Sequence, residues 1–353
     1  MTEQLKIRAI DLGYNSTKFT KSIGKDNKPL CMAFPSVAPK PPSVSVDSGF
    51  DLEVFDERDT IVVDINGVKF EVGPDSLDIQ SSADTRVLHD QYVNSDQYMA
   101  LALGALHYMG EKEIDVLVVG LPVNNAMYSK ELKAKLTGEL KINDKEKVLI
   151  KNVVVIPQAF GGFKSFYHNN LDNKELFIDE DEITLIVDPG FYTFDFVTLK
   201  GYQPPKLLNK RCGSKEGGIH QILGGICNSI SENVLEGKKY EDYETIDKAL
   251  RKDNRSIRIA GETIELEQHI KNTSQLIESV IDYMKNIVGD GIKENIDNIV
   301  LIGGNPKIFK KKLENKYPEH AAKNRIFIPD NSIYANVEGF YYYGLENAEK
   351  FIK

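Results

Sequence analysis

Two short stretches of this chain carry residue types that could hold a phosphorylated ligand. In the first, Asp11 is followed by Gly13, Tyr14, Asn15 and Ser16, with Lys18 just beyond. In the second, Asp188 is followed by Gly190, Phe191, Tyr192 and Thr193, with Asp195 just beyond. Each places an Asp at the end of an apolar run, a glycine two residues on, an aromatic next and a hydroxyl five after the Asp. The two are 177 residues apart (11 to 188). Glycine lets the backbone turn sharply and brings successive N–H groups close to an anion, and Ser16 and Thr193 add hydroxyl donors. An Asp beside each turn can hold Mg²⁺ through water, because Mg²⁺ favours oxygen ligands and keeps part of its hydration shell. Asp11 and Asp188 are the candidate metal ligands, and Lys18 is placed to neutralise phosphate charge. Two such turns would grip the β- and γ-phosphates from opposite sides. The plainer alternative is a pair of ordinary β-hairpins, whose turns favour Asp and Gly in any case; the matched positions weigh against it.

The elements that must position these residues follow from the apolar pattern. Ile7 to Lys21 reads as strand, glycine turn, strand, and Thr184 to Lys200 repeats that pattern. Strand-like pieces at 60–66 and 69–73 flank Asn66-Gly67, a hairpin turn signal. Residues 39–52 read as a surface excursion rich in Pro and Ser. Asp96 to Met109 has helical spacing, Asp115 to Gly120 is an unbroken apolar run and so a buried strand, and Val148 to Ile156 is another. Lys130 to Leu140 reads as a charged amphipathic helix, and Ala159 to Tyr167 begins one. Gly213 to Gly218 is expected to turn into a long helix, with Ser214 as its cap in the plainer reading. Leu276, Ile277, Val280, Ile281, Met284, Ile287 and Val288 recur at steps of three or four, a core-facing helix stripe. Ile299 to Ile302 reads as the last buried strand, closed by Gly303-Gly304. Strands alternating with helices imply an α/β fold.

Composition bounds the function. With 353 residues, 41% hydrophobic and 27% charged, the chain has the make-up of an ordinary globular protein long enough for two cores. A net charge of −9 argues against a general nucleic-acid binder. Three cysteines without metal-ligand spacing and a polar N-terminus predict reduced thiols and a cytoplasmic location. No apolar run approaches a membrane span. The six histidines (89, 107, 168, 220, 269 and 320), the Tyr341-Tyr342-Tyr343 run and the lysines at 307, 310, 311, 312 and 316 read as packing or solvated surface rather than as sites.

Taken in order, the motifs resemble those of the superfamily of actin, sugar kinases and heat-shock chaperone ATPases. The first phosphate hairpin corresponds to Asp11, Gly13 and Lys18, and a connecting segment to Pro157-Gln158-Ala159. The second hairpin corresponds to Asp188, Gly190, Thr193 and Asp195, and the adenosine motif to Val300 through Gly304. A second connecting helix corresponds to Ala335-Asn336-Val337-Glu338-Gly339. Within the superfamily, Phe34-Pro35-Ser36, Val119 to Val123, the stretch from Val72-Gly73 to the 98–106 helix, and Asp188-Pro189-Gly190 resemble the ParM/StbA-like plasmid-segregation branch. The resemblance implies an actin-like, ribonuclease-H-like duplicated two-domain fold with a nucleotide cleft between the domains. Domain I would be 1–160 plus 330–353 and domain II 161–329.

By the same resemblance the cofactors are ATP, with GTP as the alternative, and Mg²⁺. Gln158 would orient the attacking water and Asp188 would help position the Mg²⁺ and its waters. The cofactor-binding set adds Tyr14, Asn15, Ser16, Phe191, Tyr192, Glu216, Gly217, Gly303, Gly304 and Asn305. Where many relatives have consecutive glycines this chain has Phe191 and Tyr192, and Pro189 lacks an N–H. The implied function is a filament-forming ATPase that polymerises on ATP binding, depolymerises after slow hydrolysis and segregates plasmid or similar replicon DNA. Its partners would be itself and a DNA-bound adaptor, with no direct nucleic-acid or membrane binding. The rival readings are a small-molecule kinase and a non-polymerising ATP-dependent switch of the same superfamily.

Overall fold

A computed structural model describes residues 5–41, 58–79, 91–173, 175–177, 179–252 and 255–351. Most of the expected excursion at 39–52, part of the 72–98 stretch, and His89 lie outside them. The chain divides into two compact units: Met1–Leu121 with Asn125–Gly161 and Val337–Lys353, and Pro122–Asn124 with Gly162–Asn336.

The first unit is built on a six-stranded sheet. Its strands are β1 (Ile7–Leu12), β2 (Ser16–Ile23), β3 (Pro29–Pro35), β6 (Glu113–Leu121), β7 (Gly138–Lys141) and β8 (Lys147–Pro157), in the order β3-β2-β1-β6-β8-β7. β1 and β2 form an antiparallel hairpin with Asp11 opposite Lys18, and β6 runs parallel to β1 and β8. Every residue of β1 is buried, as expected for a strand covered on both faces. β4 (Ile61–Ile65) and β5 (Val68–Val72) form a separate hairpin, turning on Asn66 at φ 55 and Gly67 at φ 84, the left-handed pair such a tight turn needs. Helix α1 (Asp96–Met109) begins where the Ser95 side chain accepts from the Tyr98 N–H and ends at left-handed Gly110, so its bounds are set by local capping. Helix α2 (Ser129–Leu136) is shorter than the 130–140 expectation, because Gly138 to Lys141 pair with β8 instead. Helix α3 (Gln158–Asn169) follows β8 directly, and the boundary between the units falls inside it, after Gly161.

The second unit has a sheet in the order β11-β10-β9-β15-β16, with β12 also pairing with β10. The strands are β9 (Ile183–Pro189), β10 (Thr193–Lys200), β11 (Lys206–Leu207), β12 (Gly213–Glu216), β15 (Ile296–Leu301) and β16 (Ile326–Phe327). Again an antiparallel hairpin, β9 and β10, has a parallel neighbour, β15, beside its first strand. β15 is not the last strand, since β16 pairs parallel with it. Residues 213–216 form β12 rather than the start of a helix, and Ser214 is a buried strand residue opposite Asp195 rather than a cap. The helix there is α4 (Ile219–Asn233), with Gly218 at its N-cap. Then come α5 (Tyr243–Leu250), a small hairpin of β13 (Ser256–Ile259) and β14 (Glu262–Glu265), α6 (Glu267–Asn272), α7 (Ser274–Val288), α8 (Pro306–Lys316) and α9 (Pro318–Ala322). The expected stripe of α7 is buried at Ile277, Val280, Ile281, Met284 and Val288, but Leu276 is 38% exposed and stands off the core face. Phe194 of β10 meets Phe309 of α8 at 5.6 Å between ring centres, at the middle of this unit's core.

The C-terminal helix α10 (Ala335–Phe351) crosses the unit boundary after Asn336. Tyr341 and Tyr342 are buried along it. Cys31, Cys212 and Cys227 are free thiols, and burial, followed by the charges of Asp242 and Glu241, pushes the Cys227 thiol up to about 12. Among the described residues no helix is long and apolar enough to cross a membrane.

Candidate functional site

In the first unit the β1–β2 turn is fixed by a residue from β3's end. The Ser36 hydroxyl donates to the Gly13 carbonyl at 2.6 Å and lies 3.0 Å from the Thr17 hydroxyl, while the Ser36 N–H donates to the Asn15 carbonyl at 2.9 Å. Tyr14, buried, stacks on Tyr92 at 4.7 Å. Ser36 was marked in the sequence only as part of a family signature; its task of holding the turn depends on tertiary contact. Asp11 is 1% exposed and has two donors: Gln158 Nε2 at 2.7 Å on Oδ1 and Lys18 Nζ at 3.3 Å on Oδ2. A buried carboxylate needs such partners to stay charged. The expected group Asp11, Lys18 and Gln158 is therefore brought together by β1, β2 and the first residue of α3. Nearby Tyr98 is fully buried, and burial first, then the charges of Tyr92, Asp11 and Tyr14, pushes its phenol well above its ordinary value.

In the second unit the hairpin differs in charge. Asp195, not a lysine, stands opposite Asp188 across the β9–β10 ladder, and both are buried. The Thr193 hydroxyl donates to Asp195 Oδ2 at 2.5 Å, and Asn336 Nδ2 donates to Asp188 Oδ2 at 2.7 Å. Directly opposed like charges repel. Among the described residues no group of three His, Cys, Asp or Glu could enclose a metal by itself. The donor set fits Mg²⁺ held largely by water and ligand oxygens, and not a closed protein cage.

The turn of this hairpin rests on the start of α4. The N–H groups of Gly218, Ile219 and His220 donate to the carbonyls of Tyr192, Gly190 and Phe191 at 3.0, 2.9 and 2.9 Å. Three donors at the positive end of the helix thus bind the turn itself. His220 Nδ1 lies 3.0 Å from the Phe191 carbonyl, which assigns the proton to Nδ1. Burial, opposed by that carbonyl and by Glu216, holds the His220 pKa below its ordinary value. The Gly190 N–H is bonded to the Asp188 carbonyl at 2.9 Å. Of the other expected residues here, Glu216 is exposed and pairs with Thr193 in the β10–β12 ladder, and Gly217 leads into α4. A methyl at Gly218 would lie 2.5 and 2.6 Å from the carbonyl oxygens of Gly190 and Phe191. Gly218→Ala is therefore expected to displace the turn and destabilise the second unit by roughly 1–3 kcal/mol, read as a lower midpoint in thermal melting.

A second feature of this unit lies beside Gly304, the second of the two glycines after β15. A pocket of about 710 Å³ is lined by Arg251, Gly304, Asn305, Lys307, Lys310 and Ile333, among others. Asn305 is 4% exposed, and its Nδ2 donates to Asp247 Oδ1 at 2.6 Å, while Asp247 also pairs with Arg251. Burial pushes the Asp247 carboxyl above its usual range, and Arg251 partly opposes this. Lys307, which is exposed, and Lys310 line this pocket, and Lys312 and Lys316 pair with Glu278 and Asp282.

The comparisons with known proteins agree with this architecture. Residues 9–161 match the family of actin like proteins, N-terminal domain, and residues 186–315 match the C-terminal domain of archaeal MreB-like actin homologues. The chain is an actin-like protein. Its fold is shared by a ParM from a 15-stranded filament of Clostridium botulinum, at 22% identity over 97% of this chain and 99% of that one, with a TM-score of 0.72. A non-polymerisable ParM quadruple mutant matches at 21% identity over 97% and 100%, with a TM-score of 0.72. An archaeal actin homologue in complex with ADP matches at 15% identity over 98% and 100%, with a TM-score of 0.71. Among curated protein sequences there is no significant match.

Proposed function

We propose that this chain is a nucleotide-dependent, filament-forming ATPase that moves plasmid or similar replicon DNA. In this reading it polymerises with ATP and Mg²⁺ bound and comes apart after hydrolysis. The observation that carries the nucleotide part is the Gln158 carboxamide on the buried Asp11 carboxylate, with Lys18 on the other oxygen. Lys18 can exchange Asp11 for a phosphate without leaving its strand. Gln158 lies at the start of α3, where its amide can turn from Asp11 towards a water. An amide is no strong base, so it acts by orientation, and phosphoryl transfer rests on positioning and charge. Slow hydrolysis follows, which suits a timer. Mg²⁺, when bound, would neutralise phosphate charge, with Asp11 and Asp188 holding its waters.

Asn305, Gly304 and Arg251 on the walls of the 710 Å³ pocket are assigned to the nucleoside. GTP is the alternative to ATP, and the partners assigned are further copies of this chain and a DNA-bound adaptor protein. The filament part is supported by the shared fold with the filament-forming ParM. Light scattering and phosphate release, followed together across protein concentrations with Mg-ATP, test the reading. The expected result is a threshold concentration, above which scattering rises and then decays as phosphate appears. Hydrolysis proportional to protein without scattering would overturn the filament, and no response to ATP or GTP would overturn the nucleotide site.

A further inference from the structure

Asp188 is held by a residue that the phosphate motifs do not contain. Asn336, the second residue of α10, is 6% exposed and uses both ends of its carboxamide. Its Nδ2 donates to Asp188 Oδ2 at 2.7 Å, and its Oδ1 accepts from the Gly162 N–H at 3.1 Å. The other Asp188 oxygen is seated against Gly303, where an added methyl would come within 2.9 Å of Oδ1. Acceptor and donor are both satisfied, so the amide cannot flip without losing both bonds. Inside a dry site such bonds are stronger and more directional than on the surface.

The sequence contains a counterpart. Pro157-Gln158 and Gly161 recur as Ala335-Asn336 and Gly339, each 178 residues later, close to the 177-residue offset of the two hairpins. In the first unit the carboxamide is Gln158 on Asp11; in the second it is Asn336 on Asp188. The longer Gln158 is partly exposed and donates to its aspartate, whereas Asn336 is buried and anchored on Gly162 as well. The duplication has given one amide room to move and the other none.

We propose that Asn336 is a positioning residue that fixes the Asp188 carboxylate for Mg²⁺ and its water shell. This rests on the nucleotide reading given above. Two variants separate the bond to Asp188 from general support of the helices. Asn336→Ala loses both bonds. Asn336→Asp keeps an acceptor for the Gly162 N–H but replaces the donor to Asp188 with a second carboxylate. A purely structural role ranks the Asp variant as the milder one; a positioning role ranks it at least as severe.

The experiment titrates fluorescent ADP into full-length wild type and both variants, with Mg²⁺ and with EDTA, and records thermal melts alongside. The expected result is that both variants need about tenfold more Mg²⁺ for half-maximal nucleotide binding, with Mg²⁺-free affinity within about twofold of wild type. Equal losses with and without Mg²⁺, or no loss in the Asp variant, would overturn the proposal. If Asn336→Ala does not fold, the Asp variant decides alone. If wild type itself binds no nucleotide, the nucleotide reading fails; if wild type binds with a Mg²⁺ dependence that neither variant alters, only the role of Asn336 fails.

Discussion

If the proposed ATPase reading holds, Gln158→Ala will slow phosphate release by about two to three orders of magnitude while changing nucleotide affinity far less. The range follows from the usual loss when a group that aligns the attacking water is removed. Gln158 donates to Asp11 Oδ1 at 2.7 Å, and Lys18 remains on Oδ2, so the carboxylate keeps one partner after the substitution. Gln158→Glu should be no rescue. It would set a second carboxylate where the amide now donates to a 1%-exposed aspartate, and like charges at such a spacing raise one pKa and weaken the site. Single-turnover phosphate release, with affinity measured in parallel, distinguishes these cases. A Gln158→Ala protein that hydrolyses at the wild-type rate would remove Gln158 from the mechanism.

Gly339→Ala will destabilise the first unit by about 3 kcal/mol or more. The added methyl would lie 1.7 Å from the Gly161 carbonyl oxygen and 2.5 Å from its carbon. Those are backbone atoms of α3, which cannot step aside without loosening the helix that begins at Gln158. Thermal melting should show a midpoint lower by about 6–12 °C, given about 2–4 °C per kcal/mol for a unit of this size. Gly344→Ala on the same helix is the control. Its methyl would meet only the Cγ2 methyls of Ile7 and Val118, at 2.8 and 2.9 Å, contacts between side chains that can shift. A Gly339→Ala melt no lower than that of the control would show that α3 and α10 have slack at this point.

Both hairpins could be seen in the residues alone, because their signals are local. Asp, glycine, aromatic and hydroxyl at matched spacing marked both hairpins, and helical spacing marked α1 over Asp96 to Met109. What escaped depends on partners distant in the chain. Gly213 to Glu216 is polar and has no alternation, so only pairing with β10 makes it a strand. The same holds for Gly138 to Lys141 against β8. Ser36 gains its meaning from the carbonyls of Gly13 and Asn15, and Asn336 from an aspartate 148 residues away. For Asn336 a trace was present in the 178-residue offset, but one amide among many has no weight until its two bonds are seen. Leu276 had the right spacing and the wrong edge of the stripe, a distinction that periodicity cannot make.

The hairpins also differ where they correspond. Lys18 faces Asp11 in one and Asp195 faces Asp188 in the other. A duplicated ancestor with identical halves would have offered the same charge twice. Here the position opposite the aspartate holds an ammonium in one hairpin and a carboxylate in the other, so the halves have ceased to be interchangeable. Grafting residues 9–20 in place of 186–197 would preserve the turn's outline yet install an ammonium where a carboxylate stands. The division of labour written into that single position gives the molecule a polarity of charge that its repeated frame alone does not possess.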